Sequence, residues 1–282
     1  MKPAFVVLLG YLLVFAGSCD AHEPGGQVEY LGNEGLLVSV CDTKILFDAF
    51  FDDDYEQYVL VPGDTRADIL AGRPPYDGVD ALFVSHAHGD HFSADLVLEY
   101  LLAHKHVVLF GPQQIVDALI GATGSVDNDT SSRIIAFGTK PGDPPEQTAL
   151  DRLKVDVVAI PHAGGARMSD IDNLVFRVTV AGASTVMHFG DAAADDTFFA
   201  RQPEFWGAMQ TQAAFPPYWF LINESGRRIL ENRIRATQVV GVHVPANAVG
   251  NGDAWRQEIG ADLFSDPGEA RVVELTAPCP TG

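Results

Sequence analysis

The chain has 282 residues, 47% hydrophobic and 20% charged, which is the make-up of a globular protein with a sizeable core and excludes a disordered one. Its 18 Lys and Arg stand against 38 Asp and Glu, a formal net charge of -20. Binding to phosphate backbones needs a positive surface, and the largest basic grouping is Arg227-Arg228 with Arg233 and Arg235 nearby. Nucleic acid is therefore excluded as a partner, and a small-molecule substrate is expected.

The chain opens on a targeting segment. Lys2 supplies a minimal positive region, and Ala4 to Phe15 is an almost unbroken apolar run, too short to span a membrane. The small residues Ala16-Gly17-Ser18 and then Cys19 follow. Two processing routes stand open: cleavage by signal peptidase after Ser18 or Ala21, or a bacterial lipobox in which Cys19 becomes the lipidated first residue. Residues 1–21 are expected to be leader and 22–282 a single domain. The product is exported, periplasmic or secreted, and membrane-anchored as a lipoprotein if Cys19 carries lipid. No later stretch has the apolar length of a membrane span. Export permits disulfides, and Cys41 and Cys279 remain to form one, although Cys41 sits in an apolar run that also suits a buried free thiol.

Short strands are expected at 28–31 and 35–40 around the turn Gly32-Asn33-Glu34-Gly35, and at 44–47, ending on Asp48. A helix over 64–71 would be capped by Asp64. Ala81-Leu-Phe-Val-Ser85 is a continuous apolar strand, buried on both faces. It is followed by a helix from Ser93 to about His104, a strand at 106–110 and a helix at 112–120. Further strands are expected at 133–137, 153–160, 174–180, 184–189 and 239–244, with a helix over 225–235.

The chemistry is concentrated in His86-Ala-His88-Gly-Asp90-His91, directly after a buried strand. Imidazoles and a carboxylate are ligands for zinc-like divalent ions. The spacing lets His86 and His88 face one ion from a turn, while Asp90 and His91 point to a neighbouring position. The helical H-E-x-x-H arrangement is absent.

This H-x-H-x-D-H run resembles the signature of the metallo-β-lactamase fold superfamily, and later positions of that signature follow in order along nearly the whole mature chain. The resemblance implies an α/β (α+β) fold, a four-layer αββα sandwich with its site at the rim between two sheets. It implies two divalent ions, zinc favoured over manganese or iron. His86, His88 and His162 would hold one, Asp90, His91 and His243 the other, and Asp191 would bridge them. Asp90 would double as catalytic proton shuttle. Asp48 matches a strand-end Asp that supports the ligands by hydrogen bonds; an ordinary turn Asp is its alternative. His188 either flanks the site in the same supporting way or packs in the core.

The implied reaction is hydrolysis of an ester, lactone or phosphodiester-type substrate by a metal-bound hydroxide. His88, where flavodiiron relatives carry Glu, disfavours oxygen reduction, and Asp191 disfavours a true β-lactamase. Tyr30-Leu-Gly, Asp48 and Gly-Asp191 are loosely similar to the branch around L-ascorbate-6-phosphate lactonase. A metal-sensing protein and a mononuclear iron oxidoreductase resembling persulfide dioxygenase are the alternatives. Phe50, Phe51, Phe92, residues 164–169 with Arg167, and 216–219 are candidate pocket walls, although no substrate contact is assigned.

Overall fold

The structure, a computed structural model, describes residues 25–280; the expected leader, its expected cleavage points and Cys19 lie outside them. Two sheets form the centre. The first is built from β1 (Gly26–Gly32), β2 (Gly35–Val40), β3 (Thr43–Phe47), β4 (Val79–Phe83), β5 (Val108–Pro112) and β6 (Ile134–Phe137). The second contains β7 (Glu146–Leu150), β8 (Leu153–Ala159), β9 (Leu174–Val180), β10 (Ser184–His188), β11 (Ala213–Phe215) and β12 (Gln238–Val239). The last strand, β13 (Ala270–Val273), returns to the first sheet beside β1. The orders are β13-β1-β2-β3-β4-β5-β6 and β12-β11-β10-β9-β8-β7.

The sequence explains the layering. Strand residues such as Val28, Tyr30, Val38, Ile45, Phe47, Phe83 and Phe110 point inward from the first sheet. They meet Val155, Val157, Phe176, Val178, Val186 and Phe215 of the second, giving one apolar interior between the sheets. The alternate residues of β3, β4 and β5, Leu46, Leu82 and Leu109, face the other way and are covered by helices Gly63–Ala71, Ala94–Ala103 and Gln113–Thr123. Met187, Phe189 and Ala214 likewise face a helical layer that includes Trp219–Ile222 and Glu224–Ile229. The result is an αββα sandwich, as the resemblance implied. Among the described residues, no helix is long and apolar enough to cross a membrane.

Several local expectations are corrected. Asp64 does not cap its helix, which starts at Gly63 after Pro62 without a side-chain cap. Ser93 stands at an N-cap position but turns its hydroxyl to Asp52 Oδ2, 3.2 Å away. The strand expected over 239–244 shrinks to Gln238–Val239, with isolated bridges from Gly241 and Val242. β7, β11, β13 and the helix Gly252–Ile259 were not anticipated. β7 is a largely exposed edge strand, Glu-Gln-Thr-Ala-Leu, so no apolar face marks it in the sequence. Cys41, just after β2, is disulfide-bonded to Cys279, with Cα atoms 5.5 Å apart, and so is not a free core thiol.

Candidate metal centre

The ligand-type residues all leave strands at one rim of the sandwich. His86, His88, Asp90 and His91 follow β4, His162 follows β8, Asp191 follows β10, and His243 follows β12. Tight backbone turns hold the first four. The amides of His91 and Phe92 donate to His88 O at 3.0 and 2.8 Å. Gly89 lets Tyr55 approach, and its N–H donates to the Tyr55 hydroxyl at 3.1 Å. Asp48 and His243 adopt positive φ of 37° and 58°, a costly conformation for non-glycine residues that concentrates at functional sites.

Two groups of donors result: His86, His88, His162 and Asp191, and beside it Asp90, His91 and His243. Asp191 belongs to both by geometry. Its Oδ2 lies 3.1 Å from His162 Nε2 and 3.9 Å from His86 Nε2. Its Oδ1 lies 3.0 Å from His243 Nε2 and 3.4 Å from His91 Nε2. Asp90 Oδ2 closes the second group, 3.4 Å from His243 Nε2 and 3.5 Å from His91 Nε2.

Hydrogen bonds fix which nitrogen stays free on three of the rings, His86, His91 and His162. His91 Nδ1 donates to Asp48 Oδ2 at 2.9 Å, leaving Nε2 for the centre. Asp48 also accepts from the Ser85 amide at 2.8 Å and from the Ser85 hydroxyl. That hydroxyl in turn receives His86 Nδ1 at 3.0 Å, so His86 presents Nε2. His162 donates Nδ1 to Ala163 O and likewise keeps Nε2. Asp48 is therefore linked to two of the rings, directly to His91 and through Ser85 to His86. His188 stacks on Phe47 with ring centres 4.8 Å apart and donates Nε2 to Glu34 O at 3.0 Å. It underpins the floor of the centre.

The electrostatics suit a cation. Burial disfavours charge on His91, but Asp191 and Asp90 outweigh it and hold the ring well above the ordinary imidazole range. His243 is pushed up to about 10 against its burial, chiefly by Asp191. Asp191 is held well below the carboxylate range: burial opposes its charge, but His243 and His91 prevail. The carboxylates Asp191 and Asp90 thus favour positive charge beside them. Buried His162 Nε2, His243 Nε2 and Asp191 Oδ1 make no hydrogen bond despite their proximity, so these donors converge without pairing. Imidazole and carboxylate groups converging in this way fit divalent metal ions.

A cavity of about 410 Å³ opens over the centre, lined by Tyr55, Gln57, Tyr58, Met168 and the ligand-type residues His88, Asp90, His162 and Asp191. Of the expected walls, only the 164–169 segment contributes, through Met168. Phe50, Phe51 and Phe92 are buried against the outer helices of the first sheet. Trp219 packs edge-on against His243 at 5.1 Å and donates its indole N–H to Ala192 O. Tyr58 was not anticipated, nor were Asn33 and Glu34. They lie in segments whose Asp, Gly and Asn content reads as solvated turn, and only the approach of distant loops encloses them.

A seven-stranded and a six-stranded sheet between helices, with a His/Asp cluster at one rim, define the metallo-β-lactamase class of fold. The family model for the beta-lactamase superfamily domain matches residues 43–211, and the chain belongs to that family. No curated protein matches it in sequence. Among solved structures it is similar to the metallo-beta-lactamase fold protein YhfI from Bacillus subtilis, at 15% identity and TM-score 0.56, covering 89% of this chain and 100% of the other. It is also similar to Igni18, a metallo hydrolase from the archaeon Ignicoccus hospitalis, at 16% identity and TM-score 0.53, covering 88% and 98%. A third is the isothiocyanate hydrolase from Delia radicum gut bacteria, at 15% identity and TM-score 0.58, covering 88% and 99%. What these share with the chain is the fold.

Proposed function

We propose that this protein is an exported hydrolase with a dinuclear divalent-metal centre, acting on a small ester, lactone or phosphodiester-type substrate. The observation that carries the reading is Asp191, whose two oxygens face two separate groups of histidines. His86, His88 and His162 would hold one ion and Asp90, His91 and His243 the other, with Asp191 shared. Ions bound there would lower the pKa of a water and polarise a substrate oxygen. Zinc suits the imidazole-rich first position, with manganese or iron as alternatives.

The protein's own groups supply the rest. Asp90 stands on the cavity wall with Oδ2 held by Asn33 Nδ2 at 3.2 Å, placed to take a proton from the attacking water and return it to the leaving group. Tyr58 stays protonated: burial, helped by Asp191 and Asp90, pushes its phenol up to about 12. Its O–H is then a donor available to the substrate. The Cys41–Cys279 bond supports export, since such bonds persist outside the reducing cytosol. It also leaves Cys19 free for lipid.

Metal analysis of the purified protein should find two divalent ions per chain, and His88→Ala should lose most of the metal and all activity. The metal-loaded protein should turn over at least one member of a panel of ester, lactone, phosphodiester, β-lactam and isothiocyanate substrates at roughly 1 per second or faster. One iron per chain without hydrolysis would overturn the reading in favour of an oxidoreductase, and full metal in His88→Ala would overturn the ligand assignment.

A further inference from the structure

A hairpin turn normally meets solvent, but the turn between β1 and β2 is driven into the metal centre. Asn33 and Glu34 at its tip are both 0% exposed. The backbone is pinned there: Asn33 O accepts from His243 N at 3.0 Å, and Glu34 O accepts from His188 Nε2. Asn33 Nδ2 donates to Asp90 O at 2.9 Å. This leaves the Glu34 side chain with nowhere to go but the interior.

Neither carboxylate oxygen of Glu34 has a hydrogen-bond partner. His188 Nε2 lies 3.5 Å from Oε2, but its proton is already committed to Glu34 O, because His188 Nδ1 accepts from the Gly190 amide at 3.3 Å. A buried carboxyl without a donor keeps its charge only beside a cation and otherwise holds a proton, so the neighbours of Glu34 decide which. The donor atoms of His91 and Asp191 lie within 4.8 Å of a Glu34 oxygen and of each other. We infer that Glu34 is a further oxygen ligand of the ion held by Asp90, His91, His243 and Asp191, making that position carboxylate-rich and narrowing the advantage zinc ordinarily holds over manganese and ferrous iron. The inference rests on the dinuclear reading above and deepens it: carboxylates favour the harder ions, whereas the imidazole-rich first position suits zinc.

The test compares metal binding to the full protein and two variants, with Mn(II) and Zn(II) titrated separately and in competition. Glu34→Gln keeps the volume and removes the charge. Glu34→Asp keeps the charge and withdraws the oxygen, which separates direct ligation from a distant electrostatic effect. Both are expected to keep the first ion and to bind the second at least about tenfold more weakly, with manganese losing more than zinc. The electron paramagnetic resonance signal of bound Mn(II) should change in both. Circular dichroism of the metal-free forms checks folding, and if Glu34→Gln does not fold, the Asp variant decides. Wild-type affinity and wild-type Mn-to-Zn preference in Glu34→Asp would overturn the inference while leaving the dinuclear centre intact. A wild-type protein that binds fewer than two ions would remove the dinuclear reading, and this inference with it.

Discussion

On the proposed reading, Tyr58 separates holding the metal from handling the substrate. Its ring packs edge-on against His243, with centres 4.2 Å apart, and it lines the cavity. Burial, helped by Asp191 and Asp90, keeps its hydroxyl protonated and so a donor. Tyr58→Phe retains the ring contact and removes only the donor. It should lower kcat/KM roughly threefold to tenfold, the worth of one hydrogen bond, with metal content unchanged. Loss of metal in that variant would mean that the hydroxyl supports the ligands instead. Residues at this scale differ in how openly the sequence declares them. His86, His88, Asp90 and His91 are adjacent in the chain, so their joint purpose is visible without a fold. His162, Asp191 and His243 are each ambiguous alone and become legible only in register with that run. Tyr58 and Glu34 carry no pattern, because what makes them special is enclosure by segments far away in sequence.

The elements converge on the centre because successive strands end at the same rim, and the tightest junction is the step from β10 to Asp191. Gly190 there has φ 50°, and a Cβ on it would lie 2.4 Å from Asn173 Oδ1 and 2.6 Å from Ser85 Cβ. Ser85 is the residue that links Asp48 to His86, and Asn173 ties the neighbouring loops by donating to Ile160 O and Phe189 O. Gly190→Ala must therefore move either Asp191 or the supports of the histidines. It should destabilise the fold by roughly 2 kcal/mol or more and, if the centre is dinuclear as proposed, weaken both ions together, read by denaturant unfolding and metal titration. Unchanged metal affinity would show that the loop absorbs the strain elsewhere. β4, β8 and β10, which lead to most of the ligand-type residues, were legible because their residues are largely buried, as in the apolar run ending at Phe83, whereas half-buried β12 was overdrawn. β7 and β13 were not legible. They are edges with polar or exposed residues, Val272 among them at 77% exposure, and pairing with a neighbour defines them more than any pattern of their own.

At the scale of the molecule, the C-terminal segment ties the two sheets together. β13 pairs with β1 in the first sheet, and just beyond it Thr276 N donates to Ala183 O at 2.7 Å, at the hairpin between β9 and β10 of the second. Ser184 reinforces this by donating its hydroxyl to Glu274 O at 2.8 Å. The Cys41–Cys279 bond then fastens the end of this segment to β2, closing a loop with a sequence separation of 238. Closing so long a loop removes much of the entropy of the unfolded chain, and the chain-entropy estimate for this length is roughly 5 kcal/mol as an upper figure. The covalent tie matters more in a chain of net charge -20, whose self-repulsion favours expansion at low salt. Cys279→Ser should lower the denaturation midpoint, and reductant should lower the wild-type midpoint by the same amount while leaving the variant unmoved. Metal content should survive in both, because the bond does not touch the rim where the ligands converge. If reductant shifts the variant as much as the wild type, the stabilisation comes from something other than this bond. If metal is lost along with the bond, the position of β1 and its buried turn beside the centre depends on the C-terminal tie, and the first sheet, rather than the loops alone, sets the geometry of the site.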